Sequence, residues 1–130
     1  MKILDGTNSV LGRIASYASK EAIKGEEIRI INCNKIIITG SKKVSEEKLL
    51  ERRQRVGSGQ TGPKVSRLPH LIVKRAIRGM IGDHRKGRGK EALKRIKCYA
   101  SVPKELEAGK IITKEKEKKR KFSTIEEIIK

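Results

Sequence analysis

The stretch Ile28-Arg29-Ile30-Ile31-Asn32-Cys33-Asn34-Lys35-Ile36-Ile37-Ile38-Thr39-Gly40 decides the fold. Two β-branched runs, Ile28–Ile31 and Ile36–Ile38, are broken by Asn32-Cys33-Asn34-Lys35 and closed by Thr39-Gly40. Continuous rather than alternating apolar runs mark strands buried on both faces, as in a parallel sheet covered by helices. Upstream, Lys2-Ile3-Leu4 is a short apolar start that ends at Asp5-Gly6. Between these runs lie Leu11, Ile14, Ala15, Ala18 and Ala22, spaced as one face of a helix. Thr7, Asn8 and Ser9 offer N-cap oxygens before it, and Gly25 supplies a stop. Strand, helix, strand in that order is a βαβ unit.

Working outward, a second helix is predicted from Ser45 to about Arg55, with Glu46 and Glu47 set against its positive N-terminus. Residues 56–64 have no periodicity and read as a loop. A third helix starts near Pro69, a good first-turn residue. Ile72, Val73, Ala76, Ile77, Met80 and Ile81 form its apolar side, while Lys74, Arg75 and Arg78 line another. Gly82–Gly89 is a basic loop, followed by a short helix over Glu91–Arg95 and a strand over Ile96–Ala100. Beyond Pro103 the pattern changes. Lys114–Lys121 is too polar to enter a core, and Ser123-Thr124-Ile125-Glu126 has the arrangement of a capping box. The expectation is an α/β domain over residues 1–103, with Ile3, Leu11, Ile14, Ala18, Ile30, Ile37, Ile77 and Ile96 in its core. Residues 104–130 form a charged arm ending in a short amphipathic helix, which must dock somewhere.

The 130 residues hold 33 Lys+Arg against 15 Asp+Glu, a formal net charge of +18. Residues 51–100 alone carry 15 basic and 3 acidic groups, so most of the excess sits in the middle of the chain. Leu, Ile, Val and Phe make up about 25% of the chain, above the roughly 20% below which charged chains stay disordered. There is material for one small core. A charge this large repels itself unless a polyanion offsets it, and nucleic acid is the first candidate. An anionic membrane surface is the second candidate, but no apolar run approaches the roughly 18–20 residues that span a bilayer, so insertion is excluded and no membrane partner is put forward. Asp5 interrupts the first apolar residues, so no secretory signal is read. Cys33 and Cys98 are then most simply reduced, buried thiols of a cytosolic protein.

Catalytic readings fail on mechanism. Gly57, Gly62 and Lys64 resemble a phosphate-binding P-loop, but Pro63 removes a donor amide and Val65 stands where a magnesium-binding hydroxyl belongs. Cys33, His70, His84 and Cys98 lack zinc-site spacing, so no metal or other cofactor is expected. His70 and His84 have only Asp83 and Glu91 nearby as orienting carboxylates. With Tyr17, Tyr99 and Phe122 as the only aromatics, there is no set of stacking platforms for single strands. What is left is a reader of folded RNA that contacts phosphates and 2′-hydroxyls. Its candidate residues are Lys42, Lys43, Arg52, Arg53, Arg55, Lys64, Arg67, His70, Lys74, Arg75, Arg78, Arg85, Lys86, Arg88 and Lys90, on loops around 41–43, 52–67 and 82–90 and on the exposed face of helix 69–81. The rivals are an enzyme built on loop 57–64 or the two histidines, and a free-standing regulator that binds messenger RNA or duplex DNA.

Three collinear blocks carry a resemblance. They are Asp5-Gly6 with Val10-Leu11-Gly12-Arg13-Ile14-Ala15-Ser16; Lys24-Gly25 with Ile30–Gly40; and Arg75-Ala76-Ile77-Arg78-Gly79-Met80-Ile81, Gly89 and Ala92–Tyr99. Over about residues 2–103 the chain resembles the ribosomal large-subunit protein thirteen family, in its archaeal-type form. Gly82 and Ser101 depart from the pattern, at local turns. The resemblance implies a three-layer α/β/α fold around a mainly parallel four-stranded sheet, here with long basic loops and a C-terminal extension. It implies a structural, non-catalytic constituent of the large ribosomal subunit in the cytoplasm, which binds large-subunit rRNA early in assembly and takes no small-molecule substrate. It adds Arg13 as an RNA contact and neighbouring ribosomal proteins as partners; Phe122–Lys130 packs either on such a neighbour or on its own domain.

Overall fold

The computed structural model describes residues 1–57, 59, 62, 65–106, 111–113 and 120–130. The first strand, β1 (Lys2–Asp5), leads through helix α1 (Leu11–Ile23) to β2 (Ile28–Ile31). β1 and β2 are parallel neighbours, with Lys2 opposite Ile28 and Asp5 opposite Ile31. After them come β3 (Ile37–Thr39), α2 (Lys42–Gln54), α3 (Pro69–Met80) and α4 (Gly87–Arg95). The chain closes with β4 (Ile96–Cys98), β5 (Ile111–Thr113), β6 (Phe122–Thr124) and α5 (Ile125–Ile129). The main sheet runs β4-β2-β1, with β5 along the other edge of β1, and every pairing in it is parallel.

Side chains alternate across a strand, so β1 and β2 feed two cores. Leu4, Ile28 and Ile30 face the larger one, where α1 brings Ile14, Ala15, Ala18 and Ala22. Val73 and Ile77 of α3 and Ala92 of α4 complete that layer. Ile3 and Ile31 face the other way and are closed by Leu106, with Tyr99 and Val102 against them. Leu106 belongs to a single 3-10 turn, Lys104–Leu106. Of the expected core residues, Leu11 alone is half-buried, packed on the edge of the cluster.

The second β-branched run does not join the parallel sheet. β2 already has β1 on one edge and β4 on the other. Asn32 then turns the chain through a left-handed conformation (φ 55°) into the 3-10 turn Cys33–Lys35. Asn tolerates that backbone better than most residues. β3 emerges clear of the sheet and pairs antiparallel with β6, Ile37 opposite Thr124 and Thr39 opposite Phe122. The C-terminal segment therefore docks on its own chain. Ile125 is fully buried in the larger core, with Ile129 packed against it, and Ile128 is buried as well.

Helix boundaries differ where polar residues had alternatives. Thr7 and Ser9 do not cap α1; the N-cap is Val10, without a side-chain bond. Asp5 instead accepts from the Thr7 amide (2.9 Å) and hydroxyl (2.8 Å), and Ser9 donates back to the Asp5 carbonyl. α2 begins at Lys42, three residues before Ser45, so Lys42 and Lys43 form its first turn rather than a loop. Glu46 and Glu47 consequently lie beyond that turn. α4 begins at Gly87, four residues before Glu91, which leaves 82–86 as the connecting turn. β4 ends at Cys98, since the Tyr99 and Ala100 carbonyls accept from the amides of Cys33 and Asn34. The capping box is real but one residue later than read: Thr124 accepts from the Glu127 amide, and Glu127 from the Thr124 amide. Both cysteines are free thiols; Cys33 is buried, whereas Cys98 is only half-buried. Most of the run Lys114–Lys121, read as too polar for a core, lies outside the described residues.

Candidate nucleic-acid interface

The cationic side chains stand on four separate pieces of backbone. Arg13 is exposed in the first turn of α1. α2 carries Lys42, Lys43, Arg52 and Arg53, with Arg55 at its C-cap, all exposed. Arg67 precedes α3, which presents half-buried His70 and Lys74 and exposed Arg75 and Arg78. Arg85 and Lys86 lie in the turn before α4, and Arg88 and Lys90 in its first turn. Lys64 lies outside the described residues.

Two of these groups come together. α2 and α3 flank a groove that α5 closes at one end, with Arg52 on the α2 wall and Arg75 on the α3 wall. A neighbouring depression collects Lys74, Arg75 and Arg78 beside Leu71 and Leu93. On the other side, Arg53, Arg67 and Lys130 border a third hollow against Ile128 and Ile129. Arg13, the Lys42–Lys43 pair and the Arg85–Lys90 group border none of the three.

Most of this charge is not consumed inside the protein. Lys42 meets Glu46 at 3.6 Å and Arg55 meets Glu51 at 2.6 Å, both as i,i+4 pairs on exposed helix surface. The Arg55 guanidinium holds the Glu51 carboxyl below its ordinary value. Solvent screens such exposed pairs, which do not hold an arginine back from a phosphate. Arg52, Arg53, Arg67, Lys74, Arg75 and Arg78 have no carboxylate partner among the described residues. Two cations outside the sequence reading, Lys48 and Lys130, also line this surface. Lys48 was findable: Ser45, Lys48, Leu49 and Arg52 repeat at helical spacing and share one wall of the groove.

Among the described residues no cluster of three or more His, Cys, Asp or Glu is placed to hold a metal ion. Neither His70 nor His84 is hydrogen-bonded to a carboxylate there. The Cys33 thiol donates to the Ile30 carbonyl (3.8 Å); the neighbouring Cys98 and burial push the Cys33 thiol up, while Cys33 and Lys74 lower that of Cys98. No helix of the described chain is long and apolar enough to cross a membrane.

A small α/β protein with a broad cationic surface suits a polyanion better than a small substrate. The chain matches the family model described as Ribosomal protein L13 over residues 1–105. It is 43% identical over 109 residues to the large ribosomal subunit protein uL13 of Methanopyrus kandleri, an alignment spanning 84% of this chain and 67% of that protein. The protein of the same name from Thermoplasma volcanium is 40% identical over 111 residues (85% and 80% of the two chains). That from Methanosphaera stadtmanae is 43% identical over 113 residues (85% and 79%). The chain belongs to the ribosomal protein L13 family: ribosomal proteins of the large subunit, involved in translation, and structural rather than enzymatic in kind.

Proposed function

We propose that this protein is a structural constituent of the large ribosomal subunit that binds large-subunit rRNA early in subunit assembly. The observation that carries the RNA part is the convergence of Arg52, Arg53, Arg67, Lys74, Arg75 and Arg78 around the α2–α3 groove, without carboxylate partners among the described residues. Arg13, Lys42, Lys43, Arg55, Lys64, His70, Arg85, Lys86, Arg88 and Lys90 extend the contact to further RNA segments. They act on backbone phosphates and 2′-hydroxyls, which position RNA without reading its sequence. No catalytic step or cofactor belongs to this role. Its place is the cytoplasmic ribosome, beside neighbouring ribosomal proteins. Because Ile125 is spent on the chain's own core, only the rest of Phe122–Lys130 is open to such a neighbour.

The test is binding to deproteinised large-subunit rRNA as salt is raised. About six neutralised phosphates give a log–log slope near −4 to −5. Replacing Arg75 and Arg78 together by Ala shrinks that slope by about 1 per lost contact and leaves circular dichroism unchanged. A slope near zero contradicts the electrostatic mechanism. Unfolding of the double variant assigns the two arginines a structural role instead.

A further inference from the structure

The α2–α3 groove is more than a row of charges. It encloses a cavity of about 440 Å³, within the roughly 300–1,000 Å³ typical of small-ligand sites. It is open because α2 stands off the core: none of its residues is buried. The floor is apolar, with Leu49 from α2, Ile72 from α3 and Ile128 from α5. Ser45 and Ser66 add hydroxyls to the walls, and Lys48, Arg52 and Arg75 add cations. A backbone phosphate alone has no use for an apolar floor. The Ser66 hydroxyl already accepts from the Leu68 amide (3.0 Å), but an aliphatic side chain from a protein neighbour leaves the Ser45 hydroxyl and three cations of the lining without partners.

We infer that this cavity captures one unstacked base of the bound RNA, an inference that rests on the RNA-binding reading above. The base lies on the Leu49–Ile72 floor, its polar edge meets the Ser45 and Ser66 hydroxyls, and its flanking phosphates reach Arg52 and Arg75 on the facing walls. Splayed-out bases in loops and bulges are what proteins read in RNA, and a guanidinium plane serves as a stacking partner where aromatic rings are lacking. The protein then selects one nucleotide in addition to reading backbone.

The discriminating variant fills the cavity without touching charge. Ala76 lines it from α3 and is half-buried, so Ala76→Phe occupies the space meant for the base. In the full-length protein with deproteinised large-subunit rRNA, Ala76→Phe weakens binding about tenfold, the scale of one lost base-stacking contact. The salt slope changes by no more than about 1–2, the share of the two flanking phosphates at Arg52 and Arg75, because every other phosphate contact is kept. Should that variant fail to fold, p-benzoylphenylalanine in place of Leu71, an exposed residue of the cavity wall, reads the occupant directly. On irradiation of assembled subunits it crosslinks to a single nucleotide, mapped as one reverse-transcription stop. Wild-type affinity of a folded Ala76→Phe, or crosslinks to a neighbouring protein only, overturns the inference while the salt-dependent binding of the parent protein stands. Absence of salt-dependent rRNA binding by the parent protein overturns both readings.

Discussion

Glu21 shows how a single carboxylate ties the N-terminus to the first helix. It is almost buried at the end of α1, where the ammonium groups of Lys2 and Lys24 hydrogen-bond to it. These two lysines lower its carboxyl to about 2, from an ordinary 4.5. A depressed native pKa contributes stability that is present above the unfolded value and disappears as pH falls through the native one. The protein therefore loses stability between pH 4.5 and 2, and Glu21→Gln flattens that part of the curve. Thermal melts of both proteins across this window check it; parallel curves contradict it. Glycines give a second test at this scale. A Cβ on Gly89 would stand 2.3 Å from the Gly82 carbonyl oxygen and 2.5 Å from that of Asp83, backbone atoms that cannot swing aside. Gly89→Ala is expected to cost about 1–3 kcal/mol by urea denaturation, as overpacking does. Gly79→Ala, with nothing within 4 Å of the new Cβ in α3, is expected instead to stabilise by about 0.5–1 kcal/mol through helix propensity.

Among the elements, α5 is the most consequential, although it has only five residues. So short a helix has little stability of its own. It persists because the Thr124–Glu127 capping box satisfies its first amides and Ile125 enters the core. Ile125→Ala removes a fully buried side chain and should cost about 2–5 kcal/mol. A loss below 0.5 kcal/mol in denaturant unfolding would mean that the helix is not docked in solution. Elements like α1 and α3 were legible because their apolar residues repeat every three or four positions and their ends carry Gly25 and Pro69. β1 and β2 were legible as short apolar runs on either side of α1. The fate of Ile36–Ile38 was not: pattern tells that a strand is buried, but not which edge is still free when the chain arrives. The start of α2 was hidden for a related reason. Lys42 and Lys43 carry no apolar periodicity, and Ser41 stands at the N-cap without a side-chain bond and without the acidic first turn that serves as a start signal. The cationic set itself could be read from composition. Its division into a groove shared by Arg52 and Arg75, and outlying groups such as Arg13 and Arg85–Lys90, follows from tertiary packing.

For the molecule as a whole, the charge of +18 and the small size of the core belong to one account. A 130-residue chain with about a quarter of its residues in Leu, Ile, Val and Phe supports a parallel sheet, an antiparallel pair and their helices, and leaves single large apolar side chains such as Val44, Leu50 and Leu71 exposed. Its remaining capacity is electrostatic, on α2, α3 and the turn into α4. Self-repulsion disfavours the free protein and is relieved by a polyanion, so raising salt has opposite effects on the free fold and on RNA binding. The most direct measurement is sedimentation of a native extract at moderate and then high salt, with detection of this chain across the gradient. The account predicts co-migration with the large ribosomal subunit at near one copy each. Migration as a free small protein at moderate salt would contradict it.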